Sequence, residues 1–87
     1  MYVVLVYDID VTRIDKVRNL LKRYLFWIQN SVFEGEISDS SFKAMTQEVK
    51  ALIDTNYDSI VIYIMKSQAS AKRQIIGLDL SLRDFIV

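Results

Sequence analysis

Apolar residues fill every position from 2 to 7, and the run ends at two carboxylates, Asp8 and Asp10. β-branched and aromatic residues without alternation are typical of a central strand that is covered on both faces. Residues 2–7 are therefore predicted to form the first strand, with Asp8 at its carboxyl end.

The apolar positions that follow recur at the three- and four-residue spacing of one helix face: Ile14, Val17, Leu20, Leu21, Tyr24 and Leu25. Thr12, followed three residues later by Asp15, resembles a capping box. The sequence therefore predicts a first helix that begins at about Ile14.

Residues 26–37 are extended in character and are interrupted by polar residues. Asn30 and Ser31 fit either a tight hairpin or a single bent strand, and Gly35 predicts a bulge or a close backbone approach. Asp39, Ser40 and Ser41 then offer N-caps to a second helix that should end near Asn56. Its predicted inward residues are Phe42, Met45, Val49, Leu52 and Ile53.

Residues 59–65 predict another strand buried on both faces, and residues 79–87 alternate between apolar and polar. The element order predicts one α+β domain over residues 1–87, a ferredoxin-like βαββαβ sandwich with an extra C-terminal strand. Its helices cover one face of the sheet. Since the strands are apolar on both sides, we expect a second copy to cover the other face in a face-to-face homodimer.

Composition narrows the chemistry further. Eleven basic and eleven acidic residues balance, so a site for a polyanion must come from their local distribution. The chain has no cysteine and no histidine, which excludes disulfides, thiolate nucleophiles and an imidazole base. No apolar run is long enough for a membrane helix, and the N-terminus enters a strand at once, so we expect a cytoplasmic protein without a signal peptide.

Asp8 is the first candidate for chemistry, because loops at strand ends commonly form ligand sites. As an alternative, Asp8 and Asp10 are loop carboxylates that shape a turn or help to cap the helix through Thr12. One carboxylate is too few for Mg²⁺ or Mn²⁺ together with a phosphate, but a two-fold axis beside Asp8 would supply a second.

The first helix concentrates basic residues, and only Asp15 opposes them: Arg13, Lys16, Arg18, Lys22 and Arg23. Such a helix face is either simply solvated or able to follow a duplex backbone without sequence preference. In a dimer the basic surface would be doubled.

Several stretches together resemble the CRISPR-associated Cas two family: "LVYDI", the basic helix after it, and "WIQNSVFEGEIS". The resemblance implies a homodimer in which Tyr7 and Asp8 are catalytic, paired Asp8 residues hold Mg²⁺ or Mn²⁺, and Ser31 and Phe33 support the site. It implies that residues 79–87 join the dimer or a partner. Many members have an arginine where this chain has Trp27.

Two activities follow from this resemblance. The favoured one is a scaffold that binds double-stranded DNA and bridges dimers of the integrase Cas one during spacer acquisition in antiviral defence. The other is a metal-dependent endonuclease that cleaves single-stranded RNA or DNA. A ribonuclease toxin of the VapD type on the same fold and a small-molecule-sensing module are the alternatives, the latter without a glycine-rich loop to form its pocket.

Overall fold

The computed structural model of the chain describes residues 1–81. Four strands and two helices follow one another in this part: β1 (Tyr2–Asp8), α1 (Ile14–Leu21), β2 (Phe26–Gln29), β3 (Val32–Glu36), α2 (Asp39–Leu52) and β4 (Ser59–Met65). The strands form one sheet in the order β2-β3-β1-β4, with every neighbouring pair antiparallel. The predicted α+β ferredoxin-like arrangement is confirmed.

The two faces of the sheet differ in what covers them. Val3, Leu5 and Tyr7 of β1 belong to the buried core, which both helices also line. The helices contribute the following buried residues: Val17, Leu20, Leu21, Met45 and Val49. Because side chains alternate along a strand, the intervening residues of β1 lie on the other face.

This other face carries apolar residues that remain partly or largely accessible: Val4, Val6, Val32, Val61 and Tyr63. We call these five residues the open face. Val61 is 47% exposed and Tyr63 is 60% exposed. The prediction that β4 is buried on both faces is therefore wrong for a single chain, because β4 is an edge strand and pairs only with β1.

The segment after β4 returns to one end of the open face. Arg73 forms an ion pair with Glu34, a carboxylate that is only 7% exposed. Glu34 is the cross-strand partner of Val4, so this charge lies at the margin of an apolar surface. The position opposite Val4 is thus occupied by a buried carboxylate, and the half-exposed Arg73 of the C-terminal segment is its ion-pair partner.

A hairpin connects β2 and β3. Of the two arrangements predicted for residues 26–37, the structure therefore has the hairpin and not the single bent strand. Asn30 has a φ of 35°, the left-handed conformation that asparagine tolerates in tight turns. The ladder is irregular between Trp27 and Gln29 in β2, so the bulge is not at Gly35. A Cβ at Gly35 would lie 3.4 Å from Leu25 Cδ2, which is ordinary van der Waals contact, so the fold does not require glycine there for a close approach.

α1 begins at Ile14 as predicted, whereas the caps and the C-terminal ends of both helices differ from the sequence pattern. No side chain caps α1; Asp10 fixes the loop before it by accepting hydrogen bonds from the backbone and hydroxyl of Thr12. Ser38 caps α2 by accepting from the Ser41 backbone N–H. α1 ends at Leu21, so that Tyr24 and Leu25 of its pattern lie beyond it, and α2 ends at Leu52 rather than near Asn56.

The C-terminal tail is described only up to Ser81. Residues 71–79 contain no strand, and the predicted C-terminal strand in 79–87 falls mostly on residues outside the described range. Within residues 1–81, neither helix is long and apolar enough to cross a membrane.

Candidate active site at the end of the first strand

Asp8 is the last residue of β1 and is the cross-strand partner of Ser59, the first residue of β4. Its side chain is exposed and lies on the same face of the sheet as Val4 and Val6. Among residues 1–81, no hydrogen bond or ion pair occupies the Asp8 carboxylate. The open face therefore ends at a solvated carboxylate with both oxygens available.

One chain does not supply a complete metal site. In the part of the chain that the structure describes, no three acidic side chains cluster in a way that could hold a metal ion. Asp10 does not assist Asp8, because its carboxylate accepts from Thr12, which holds the Asp10 pKa below its usual value. Hard carboxylate oxygens do suit Mg²⁺ and Mn²⁺, so the donor chemistry fits if a second Asp8 approaches.

Tyr7 lies next to Asp8 in the chain but on the helix-covered face of the sheet. It is 3% exposed, and its hydroxyl donates to the Asn30 carbonyl at 3.0 Å. The same oxygen accepts a hydrogen bond from Arg18 Nε at 2.9 Å. The structure thus places the Tyr7 hydroxyl in a structural network and does not bring it to the Asp8 carboxylate.

Arg13 has a strong partner within the chain. Its Nε donates to Asp58 Oδ2 at 2.6 Å, and its Nη2 donates to Asp58 Oδ1 at 3.0 Å. The Asp58 side chain is fully buried, and it also accepts from the backbone N–H groups of Asp10 and Asp54. Chiefly because Arg13 donates to it, the Asp58 pKa lies well below its usual value.

The other predicted nucleic-acid-binding residues divide into two groups. Lys16 and Lys22 are exposed on or just after α1. Arg18 donates to Tyr7, and Arg23 forms an ion pair with Glu48 of α2 while its guanidinium lies 5.7 Å from the Tyr24 ring centroid. Arg13 and Arg18 are thus partly withdrawn from the basic surface, whereas Arg23 stays largely exposed in its ion pair.

The predicted supporting residues have structural positions. Phe33 is fully buried in the core, 6.1 Å from Tyr7 between ring centroids. Ser31 accepts a hydrogen bond from the Tyr7 backbone N–H through its carbonyl oxygen. Trp27 donates its indole N–H to the Asn30 carbonyl. These residues fix the hairpin next to β1 and do not reach Asp8.

Asp58 is the residue near this site that the sequence analysis missed. The sequence did contain one indication of it: Asp58 lies directly before the apolar strand β4, just as Asp8 lies directly after the apolar part of β1. Glu34 was missed for another reason: its partner Arg73 is 39 residues away, and no local pattern links the two.

Comparisons with known proteins agree with this fold. The family model "CRISPR associated protein Cas2" matches residues 1–73. A relative from Dictyoglomus turgidum, named CRISPR-associated endoribonuclease Cas2, is 42% identical over 87 residues. The match covers 100% of this chain and 100% of the relative.

Two solved structures are also similar. One, described as a crystal structure of Cas2, is 42% identical with a TM-score of 0.84 and covers 93% of this chain and 91% of its own. Streptococcus pyogenes Cas2 is 26% identical with a TM-score of 0.79, covering 88% of this chain and 100% of its own.

The fold and these matches define a small ferredoxin-like protein of the CRISPR system. The chain belongs to the CRISPR-associated Cas2 family, written Cas two above. The names of its relatives support a nuclease role.

Proposed function

We propose that the protein is a homodimeric, metal-dependent endoribonuclease of CRISPR antiviral defence, with its active site at the paired Asp8 residues. The observation that carries this proposal is the position of Asp8. A solvated carboxylate without a partner in residues 1–81 stands at the end of an apolar open face. A second copy that covers this face would bring its own Asp8 next to the first.

The open face favours a homodimer for energetic reasons. Val6, Val61 and Tyr63 expose 37%, 47% and 60% of their surface to water, although they neighbour one another across β1 and β4. Contiguous apolar surface of this kind marks an interaction site in a soluble protein. A two-fold axis would pair the face with itself, because such an interface is self-complementary.

A divalent metal completes the proposed chemistry. Mg²⁺ or Mn²⁺ bound there would polarise the phosphodiester and lower the pKa of the attacking water. The Asp8 carboxylates of the two copies would be its protein ligands, and substrate phosphate and water would fill the remaining positions.

A second candidate function has its own supporting observation. Lys16 is exposed on α1 and Lys22 is exposed at its C-terminal end, and a dimer would present each of them twice. Such a surface suits double-stranded DNA, which would make the dimer a scaffold that bridges the integrase Cas one in spacer acquisition. A stand-alone toxin-type ribonuclease would lack an integrase gene and a CRISPR array beside its own gene.

Substitution of Asp8 tests the proposed enzyme. Wild-type protein should cleave single-stranded RNA with Mg²⁺ or Mn²⁺ and lose this activity in EDTA, whereas Asp8→Asn should have only background activity. Asp15→Asn is the matched control, since it removes an exposed carboxylate of α1. Cleavage that survives Asp8→Asn would contradict the proposal and favour the scaffold.

Sedimentation velocity tests the dimer. Val61→Lys should convert the dimer to monomer, because it places a charge in the open face. Val11→Lys is the control, since Val11 is 82% exposed in the loop before α1 and does not belong to that face. A wild-type monomer at all concentrations, or a Val61→Lys dimer, would exclude this arrangement.

A further inference from the structure

The Asp58 carboxylate joins two loops that the chain otherwise leaves separate. One is the connection from β1 to α1, which contributes Asp10 and Arg13; the other connects α2 to β4 and contributes Asp54. We call the Arg13–Asp58 pair with these two backbone contacts the loop clamp. Both loops lie at the end of the sheet where Asp8 pairs with Ser59.

The loop clamp satisfies its buried carboxylate completely. Each Asp58 oxygen accepts one guanidinium N–H and one backbone N–H, at distances between 2.6 and 3.0 Å. A buried carboxylate is stable only when it is paired and hydrogen-bonded in this way. Four donors on one carboxylate leave the two loops little freedom to move relative to one another.

The identity of Arg13 follows from the geometry. A planar guanidinium presents two N–H groups side by side to the two oxygens of one carboxylate, whereas a lysine ammonium is a point charge. The Arg13 side chain is 28% exposed, and its fork is occupied by Asp58. Asp58 therefore holds two of the five N–H donors of Arg13, and these two donors act within the fold.

Asp8 lies two residues before Asp10, which the loop clamp holds by its backbone. Asp58 in turn lies directly before Ser59, the cross-strand partner of Asp8. The clamp thus fixes both strands at the position where the Asp8 carboxylate leaves the sheet. Two carboxylates that share one ion need accurate placement, and errors of about 1 Å at a reacting centre cost roughly 100-fold in rate.

We propose that Arg13 and Asp58 are positioning residues that hold Asp8 for metal-dependent cleavage. This role rests on the proposed endoribonuclease function. It assigns to Asp58 a function beyond stability, and it gives Arg13 a role in supporting the active site in addition to the nucleic-acid contact predicted from the sequence.

The test compares Asp58→Asn and Arg13→Lys with Glu48→Gln in the full-length protein. Glu48 also pairs with an arginine, Arg23, and so serves as a matched control away from Asp8. The readouts are kcat and KM for single-stranded RNA, the Mn²⁺ concentration at half-maximal rate, and amide hydrogen exchange of residues 8–12. All are measured where circular dichroism shows each variant folded.

Both clamp variants should lower kcat at least about 10-fold and raise the half-maximal Mn²⁺ concentration, with KM for RNA changed less than about 3-fold. Amide exchange of residues 8–12 should accelerate about 10-fold in the same variants. Glu48→Gln should match the wild type in kcat and in exchange at these residues.

Two results would overturn the positioning role. If residues 8–12 exchange at the wild-type rate in Asp58→Asn, the clamp does not hold the loop; if exchange accelerates and kcat stays unchanged, the clamp does not serve Asp8. Wild-type protein whose cleavage is independent of Asp8 would instead overturn the proposed function, and with it the positioning role.

Discussion

Tyr7 and Asp8 are adjacent in the chain and lie on opposite faces of the sheet. The Tyr7 hydroxyl is buried beneath α1, where it accepts from Arg18 and donates to Asn30, whereas the Asp8 carboxylate is exposed at the end of the open face. The two side chains therefore have separate tasks. Tyr7 ties the hairpin and α1 to β1, and Asp8 is available for chemistry.

Tyr7→Phe separates these tasks. It removes two hydrogen bonds and keeps the ring, so we expect the free energy of unfolding to fall by about 1–2 kcal/mol. Metal-dependent cleavage at saturating RNA should stay within about 3-fold of wild type, since the hydroxyl does not reach Asp8. Urea denaturation and single-turnover cleavage measure the two effects. Loss of cleavage in a folded, stable Tyr7→Phe protein would show that the hydroxyl is catalytic.

Asp58 should give the protein a specific response to acid. Its pKa in the folded chain is lowered chiefly by the hydrogen bond from Arg13, while the unfolded chain restores the ordinary value of 3.8. As the pH falls, the unfolded state therefore binds the proton first. The stabilisation from Asp58 is complete well above pH 3.8 and is lost as the pH falls below that value toward the folded-state pKa.

Thermal unfolding between pH 7 and pH 2 measures this response. Asp58→Asn should lower Tm at pH 7 by about 5 °C or more, and the difference from wild type should shrink below about pH 4. Asp15→Asn, the surface control, should follow the wild-type curve. A difference between wild type and Asp58→Asn that stays constant down to pH 2 would show that the charge of Asp58 does not stabilise the fold.

Lys16, an exposed cation of α1, should contribute to duplex binding through a phosphate contact. Each phosphate contact adds about 0.9 to the slope of log affinity against log salt for duplex DNA. Lys16→Glu should therefore reduce that slope by about 1, and Lys43→Glu, an exposed lysine of α2, should leave it unchanged. Equal effects of the two variants in fluorescence anisotropy titrations would place the DNA elsewhere.

Much of the fold could be predicted because its signals are local. The bounds of β4 match the predicted residues 59–65, and β1 extends only one residue beyond the predicted strand, because apolar runs at these positions have few alternatives. For residues 26–37 the sequence allowed either a hairpin or a single bent strand. The structure has the hairpin, in which Asn30 has a positive φ angle. The sequence could not show whether β4 is an edge strand or a central strand of the sheet, since this depends on which strands lie beside it.

The site was less predictable than the fold because its key contacts are long-range. Arg13 and Asp58 are 45 residues apart, and the sequence shows only two charges in two loops. The basic pattern of α1 indicated phosphate binding, although Arg13, Arg18 and Arg23 all have partners within the chain. Charge counts along a helix cannot separate cations that face solvent from those that connect elements.

The central claim is that two Asp8 carboxylates form one metal site across the dimer axis. The most direct test is a heterodimer with one wild-type and one Asp8→Asn subunit, isolated through two different affinity tags. Its metal-dependent RNA cleavage should fall below about one tenth of wild type, because one carboxylate is too few to hold the ion. A heterodimer with about half of the wild-type activity would mean that each Asp8 acts independently, and would contradict the shared site.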